Sequence, residues 1–416
     1  MKVPISGYVK PGFEKVKSTF EENFKLRKEV GAACCVYYRG NKVVDLWGGF
    51  RDKKRKQYWE EDTLSIAFST SKGLSSLAFS ILHSRGLIDY DEKVCTYWPE
   101  FAFNGKDNIT VRQLLAHQAG LFSNDKRLTY DVLIDETQLS DCLAKQKPYW
   151  KPGDYAGYHA WTIALYQNEL CKRVDPLKKT LSKFFKSEIA DALNIDFHIG
   201  LPTTIPPHRV AELIPFFPTE ALIGENSDIG SIMKGILNPF STFYKSLLNP
   251  PFALNLNNFN NPKYMALPIG SALGFGNARS IAQAYNEFAT GGKNLHIRKE
   301  TMAQLEAAPV YPKRNKIDSV LHVEIPFSLG FAKPSPYQNF GSNYRSFGTF
   351  GAGGSGGFAD PEKQVAFAYI MNKMGTHIAN DPRELALRNV VYDCIFEIEQ
   401  HKLATRSEQK AMENVK

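Results

Sequence analysis

The apolar positions of this chain fall into helical stripes in the middle and short alternating or continuous runs near both ends. The clearest stripe lies in Ser65–Gly86, where Leu74, Leu77, Ala78, Ile81 and Leu82 recur at i, i+3, i+4, i+7 and i+8, and Gly86 supplies a stop. The opposite face carries Ser69, Lys72, Ser76 and Phe79, and Lys72 is the only formal charge between Ser69 and Ser84. That pattern predicts a helix buried on both sides with one lysine inside. A first helix is predicted over Pro11–Glu29, with Phe13, Val16, Phe20 and Phe24 on one stripe. Further helical spacing marks Val111–Ala116, Trp161 to about Lys172, Leu177–Leu193, Ala278–Thr290 and a closing amphipathic helix from Asp381 to about Leu403.

Strands are predicted at Ala32–Tyr38 and Lys42–Trp47 around an Arg-Gly-Asn turn, then late in the chain at Phe327–Phe331, Ser346–Phe350, Gly356–Asp360 and Val365–Asn372. Strands near both termini with helices between them imply an α+β fold: one antiparallel sheet flanked by terminal helices, plus an inserted, mainly helical lobe. The expected organisation is a single unit over 1–416, with an α/β lobe at about 1–63 and 266–404 and a helical lobe at about 64–265. Within the latter, Phe216–Met265 is apolar, Asn-rich and broken by prolines. It reads first as an insertion packed over the body, and second as a lid, a substrate-pocket wall or a lipid-surface contact.

Composition changes this picture little. With 416 residues there is ample length for a large core, and a net charge of +8 is modest for that size. The densest basic run, Arg51–Lys56, lacks aromatic or glycine interleaving and reads as a solvated loop, not a nucleic-acid surface. Six cysteines with no C-x-x-C pair or zinc spacing read as free thiols in a reducing compartment. The N-terminus has no apolar signal-peptide core, and no run approaches a membrane span, so a cytoplasmic protein is expected.

The chemistry sits at the start of the buried helix. The i, i+3 spacing of Ser69 and Lys72 puts hydroxyl and amine on adjacent turns. Burial and the positive end of the helix dipole disfavour the ammonium form, so the lysine becomes a base for the serine. The amides of the same helix start can hold an oxyanion. A rival nucleophile, Ser355, lies in Gly353–Gly357, which satisfies G-x-S-x-G. That elbow needs a following helix, whereas here a strand follows, so a Gly-rich hairpin is the better reading. Tyr158, after a Pro-Gly turn, can point into a cleft, and His117 and His159 are candidate bases with no carboxylate partner evident in sequence. No metal-ligand cluster is evident, and no metal or organic cofactor is expected.

Ser69-Thr70-Ser71-Lys72, ITVRQLLAHQAGL, PGDYAGYHAW, GFGNARSIAQ and SFGTFGAGGSGGFADPEKQVAFAYIMN follow one another in that order. In this the chain resembles serine β-lactamase-related proteins, the class C β-lactamase and penicillin-binding-protein-like group and its esterase-type members, over about residues 10–400. The resemblance implies a helical lobe against an α/β lobe and acyl transfer through a serine ester. It makes Ser69 the nucleophile, Lys72 its general base and Tyr158 the residue that shares proton transfer with the leaving group. It places the third motif on Ser346–Ala352, with the backbone N–H groups of Ser69 and Ala352 as the oxyanion hole.

Two positions depart from the family pattern. Tyr158-His159-Ala160 replaces Tyr-x-Asn, and Thr349-Phe350-Gly351 replaces Lys or His before x-Gly. The first loses an amide used on β-lactam side chains; the second loses a cation near the substrate, since Thr349 can hydrogen-bond but not carry charge. His159, Thr349 and Gly351 are expected to line the substrate site. The expected function is a serine hydrolase of small-molecule esters, with amides as a second bond class. A peptidase with the same acyl-enzyme, or a non-catalytic binding protein of the same fold, are the alternatives.

Overall fold

A computed structural model of the chain describes residues 3–216 and 229–413. Its centre is an eight-stranded sheet, antiparallel throughout, built from the two ends of the sequence in the order β1-β3-β2-β11-β10-β9-β8-β7. The N-terminal part supplies β1 (Ile5–Val9), β2 (Gly31–Tyr38) and β3 (Asn41–Gly49). The C-terminal part supplies β7 (Phe327–Ser328), β8 (Phe331–Ala332), β9 (Phe347–Phe350), β10 (Gly356–Asp360) and β11 (Val365–Met371). A second sheet, β4-β6-β5, joins Ser65–Ile66, Gly274–Gly276 and Phe197–Ile199.

Both faces of the large sheet are covered, which is why β2 and β11 read as nearly continuous apolar runs without alternation. On one face Cys34, Val36, Phe358, Phe367 and Tyr369 pack with Val16 and Phe20 of helix α1 (Glu14–Leu26) and with Leu387, Val391 and Ile395 of the C-terminal helix Pro382–Glu413. The other face is built from small residues, Ala33, Cys35, Ala359, Ala366 and Ala368, so that helix Ala278–Ala289 can lie close against it. Helix α2 (Thr70–Ser84) packs against β9 and joins this second core; of its residues only His83 is more than slightly exposed.

Two sequence expectations need correction, and one strand was not foreseen. Phe327–Phe331 is not one strand but a tight hairpin, because Leu329 and Gly330 both take positive φ (51° and 86°), the geometry of a two-residue turn. The helix expected over Leu177–Leu193 begins at Leu181, where Thr180 caps it by accepting from Lys183 N–H. The edge strand β1, for which the residue pattern gives no expectation, pairs with β3 from Ile5↔Gly48 to Val9↔Val44. Of the Phe216–Met265 stretch, 217–228 lie outside the described residues. The remainder forms helices at Ile229–Leu237 and Thr242–Leu247 and aromatic turns, with Phe252 and Phe259 packed on Trp161. All six cysteines are unpaired. No described helix is long and apolar enough to cross a membrane.

Candidate active site

Between β4 and α2 the chain turns sharply. Phe68 adopts a left-handed φ of 44°, a strained conformation for a bulky residue, and Ser69 follows as the helix N-cap. The Ser69 side chain makes no capping bond, so its hydroxyl stays available. It faces a cavity of about 340 Å³ lined by Ser69, Lys72, Tyr158, Thr349 and Ala352 among predominantly apolar side chains.

One turn further on, Lys72 is 2% exposed. Its Nζ lies 3.1 Å from Ser69 Oγ, 2.7 Å from the Ala160 carbonyl and 2.8 Å from the Ser271 carbonyl. Burial, with no carboxylate to offset it, holds this amine well below its ordinary pKa of 10.5. The Tyr158 ring faces the amine, with Nζ 4.6 Å from the centroid. Such a contact favours the cation, but desolvation is the larger effect, and the amine's pKa falls.

Tyr158 is positioned by four separate segments. Its N–H donates to Asp318 Oδ1 (3.2 Å), its carbonyl accepts from Ser246 Oγ (2.6 Å), and its ring packs on His117 and Phe327. Ser246 belongs to the helix Thr242–Leu247, so the inserted stretch helps to hold the tyrosine as well as walling the cavity through Phe243, Leu247 and Phe259. Burial raises the Tyr158 pKa above 10.0; the Ser69 hydroxyl works against that and Asp318 adds to it. The phenol stays protonated at neutral pH.

The turn after β9 brings the Ala352 N–H to the cavity that the Ser69 N–H also borders. No described residue accepts from the N–H of Ser69 or of Ala352. Gly351 fixes their spacing: a Cβ there would overlap Ala67 O and Ser355 Oγ and lie 3.1 Å from Ser69 N.

The remaining sequence candidates fall elsewhere or do other work. His159 does not line the cavity. It is fully buried, its Nδ1 lies 2.7 Å from Gly157 O, and burial pushes its pKa down to about 3. Its N–H donates to His117 Nδ1 (3.1 Å), and burial likewise keeps His117 well below the usual imidazole range. Both rings are neutral packing elements behind Tyr158. Thr349 does reach the cavity, but its hydroxyl is fully used. Its one proton goes to Thr70 O (2.9 Å), and it accepts from Gly73 N–H (3.1 Å) and from the Tyr285 hydroxyl (3.1 Å). It ties β9 to α2 across the start of the helix. Ser355 is 0% exposed, donates to Ala67 O (2.8 Å), lies 3.0 Å from Thr70 Oγ1 and is followed by β10, so it is a tack between the hairpin and the helix start.

Sequence reasoning missed the Ala160 and Ser271 carbonyls, Asp318 and Ser246, and no local signal marks them. Backbone carbonyls carry no residue signature, and the two side chains act from distant segments. Among the described residues no three His, Cys, Asp or Glu side chains converge as metal ligands do.

A beta-lactamase family model matches residues 16–390. The esterase/beta-lactamase LipL of Mycobacterium tuberculosis is 33% identical over 376 residues, 89% of this chain and 83% of that protein. A crystal structure of a family VIII carboxylesterase superposes with a TM-score of 0.81 at 34% identity, covering 94% of this chain and all of the other. A penicillin-binding protein homolog from Caulobacter crescentus superposes at 0.78 with 31% identity over 94% of this chain and all of the other.

Proposed function

This chain belongs to the beta-lactamase family and is a serine hydrolase, and we propose that it acts as a carboxylesterase through an acyl-enzyme on Ser69. The observation that carries this reading is the environment of Lys72. A neutral amine has two N–H bonds and one lone pair. In that form the Ala160 and Ser271 carbonyls would take the two protons, leaving the lone pair for Ser69 Oγ, 3.1 Å away. The serine proton is then donated to the amine, as general-base activation requires.

In the proposed sequence Ser69 Oγ bonds to the ester carbonyl carbon as its proton passes to Lys72 Nζ. The oxyanion sits against the Ser69 and Ala352 N–H groups. The bond to the alcohol then breaks, and the departing oxygen takes a proton through the Tyr158 phenol, which is replenished from Lys72. Water attacks the acyl-serine by the reverse relay, and Ser69 regains its proton. The esterase names of the relatives support an ester substrate, and the lack of any cation at Thr349 supports one without a carboxylate at that end. A soluble cytoplasmic setting with small-molecule substrates accords with this reading.

The pH profile tests it. Because burial depresses Lys72 and raises Tyr158, kcat/KM for a neutral ester is expected to show one acidic limb well below pH 10.5 and then a plateau through pH 10. A rate that keeps climbing to pH 10.5 would mean an ordinary lysine and would remove the proposed base.

A further inference from the structure

The cavity lining includes a buried glutamine that the mechanism leaves unused. Gln338 is 3% exposed and lines the cavity. Its backbone is pinned: its N–H donates to Ser335 Oγ (3.1 Å), its carbonyl accepts from Ser335 N–H (3.0 Å), and Ser335 Oγ donates to Glu324 O (3.0 Å). The neighbouring Phe340 is locked between Phe350 and Phe358. Yet no described residue hydrogen-bonds the Gln338 carboxamide. The carboxamide therefore keeps its donors and acceptor unspent toward the protein at a cavity whose lining, with Ile325, Phe327 and Ala332, is mostly apolar.

We propose that Gln338 is a specificity-determining residue whose amide N–H binds an uncharged acceptor oxygen on the substrate, so that the preferred esters are apolar with one keto-type carbonyl besides the scissile one. This rests on the esterase reading above and adds the substrate class. The two features argue together. The apolar walls select hydrocarbon, and a neutral amide satisfies a carbonyl without demanding the counter-charge that a carboxylate needs in such surroundings. The loop bearing Gln338 is fastened to the one after β11, since Asn380 Nδ2 donates to Tyr337 O (2.7 Å). That second loop brings His377, whose Nδ1 has no partner among the described residues, to the same cavity.

The test compares 4-nitrophenyl octanoate with its 4-, 5-, 6- and 7-oxo derivatives, using wild-type protein and Gln338→Met, a substitution of similar length without amide atoms. In wild type at least one oxo isomer is expected to exceed the plain ester about tenfold in kcat/KM. Gln338→Met is expected to remove that preference while plain octanoate changes less than about twofold. Equal rates for all five esters in wild type, a preference that survives in Gln338→Met, or an equal loss on every ester in the variant each overturn the proposal. Calorimetric titration of Ser69→Ala with methyl octanoate and the methyl oxooctanoates reads the same preference without turnover. Failure of hydrolysis in wild type would thus count against the esterase, while recognition by Gln338 is still decided by binding.

Discussion

Replacing Lys72 by methionine is expected to lower kcat/KM for a neutral ester by about 10³-fold to 10⁵-fold, with thermal unfolding still cooperative. The reason is that, among the described residues, no other side chain at the cavity is placed to take the Ser69 proton. His159 and His117 are buried behind Tyr158, and neither lines the cavity. Tyr158 is held protonated by burial, and the lone pairs of the Thr349 hydroxyl are occupied by Gly73 N–H and the Tyr285 hydroxyl. The methionine fills nearly the same volume, so loss of packing is not the cause of the expected defect. Steady-state kinetics alongside circular dichroism checks this, and activity within tenfold of wild type would mean that another group serves as base.

Arg383→Met is expected to destabilise the protein by about 3–5 kcal/mol, the usual cost of stranding buried charge, and to impair catalysis as well. The guanidinium is buried at the start of the C-terminal helix. It bonds Asp381 (2.8 Å), Glu29 (3.2 Å), Lys373 O (2.8 Å) and Gly353 O (2.7 Å). Burial pushes Glu29 above the usual carboxylate range and Arg383 restrains that rise; at Asp381 the arginine outweighs burial and the pKa falls. Gly353 follows Ala352, so the bond to Gly353 O also fixes the turn that presents the Ala352 N–H. Denaturant titration should show a lower midpoint with similar slope. In the folded variant kcat should fall more than KM rises. A variant as stable as wild type would show that the cluster contributes specificity of structure and not stability.

Much of this was legible from residue spacing. The one lysine in an otherwise uncharged helix predicted a buried amine, and the structure places it 3.1 Å from the serine. The strand Gly356–Asp360 and the helix from Ala278 were readable because turn residues bracket them. What escaped has physical causes. β1 is an edge strand with three exposed central residues, so burial never patterned it. The β7–β8 turn puts a buried leucine, not asparagine, at positive φ, and local turn chemistry gives no hint of that. The strands of the small sheet are two or three residues long, too short for any period. His159 was misplaced because consecutive residues in an extended segment face opposite ways, and sequence does not tell which one faces the cavity. Gln338 carries no motif at all; only its place in the cavity lining with an unpartnered carboxamide marks it.

The central claim, that Ser69 forms the acyl bond, is met most directly by mass spectrometry of the protein after reaction with a fluorophosphonate. The wild type and Ser355→Ala are expected to gain one phosphonyl mass, mapped to the peptide containing Ser69, while Ser69→Ala gains none. A label that persists in Ser69→Ala and disappears in Ser355→Ala would contradict the account.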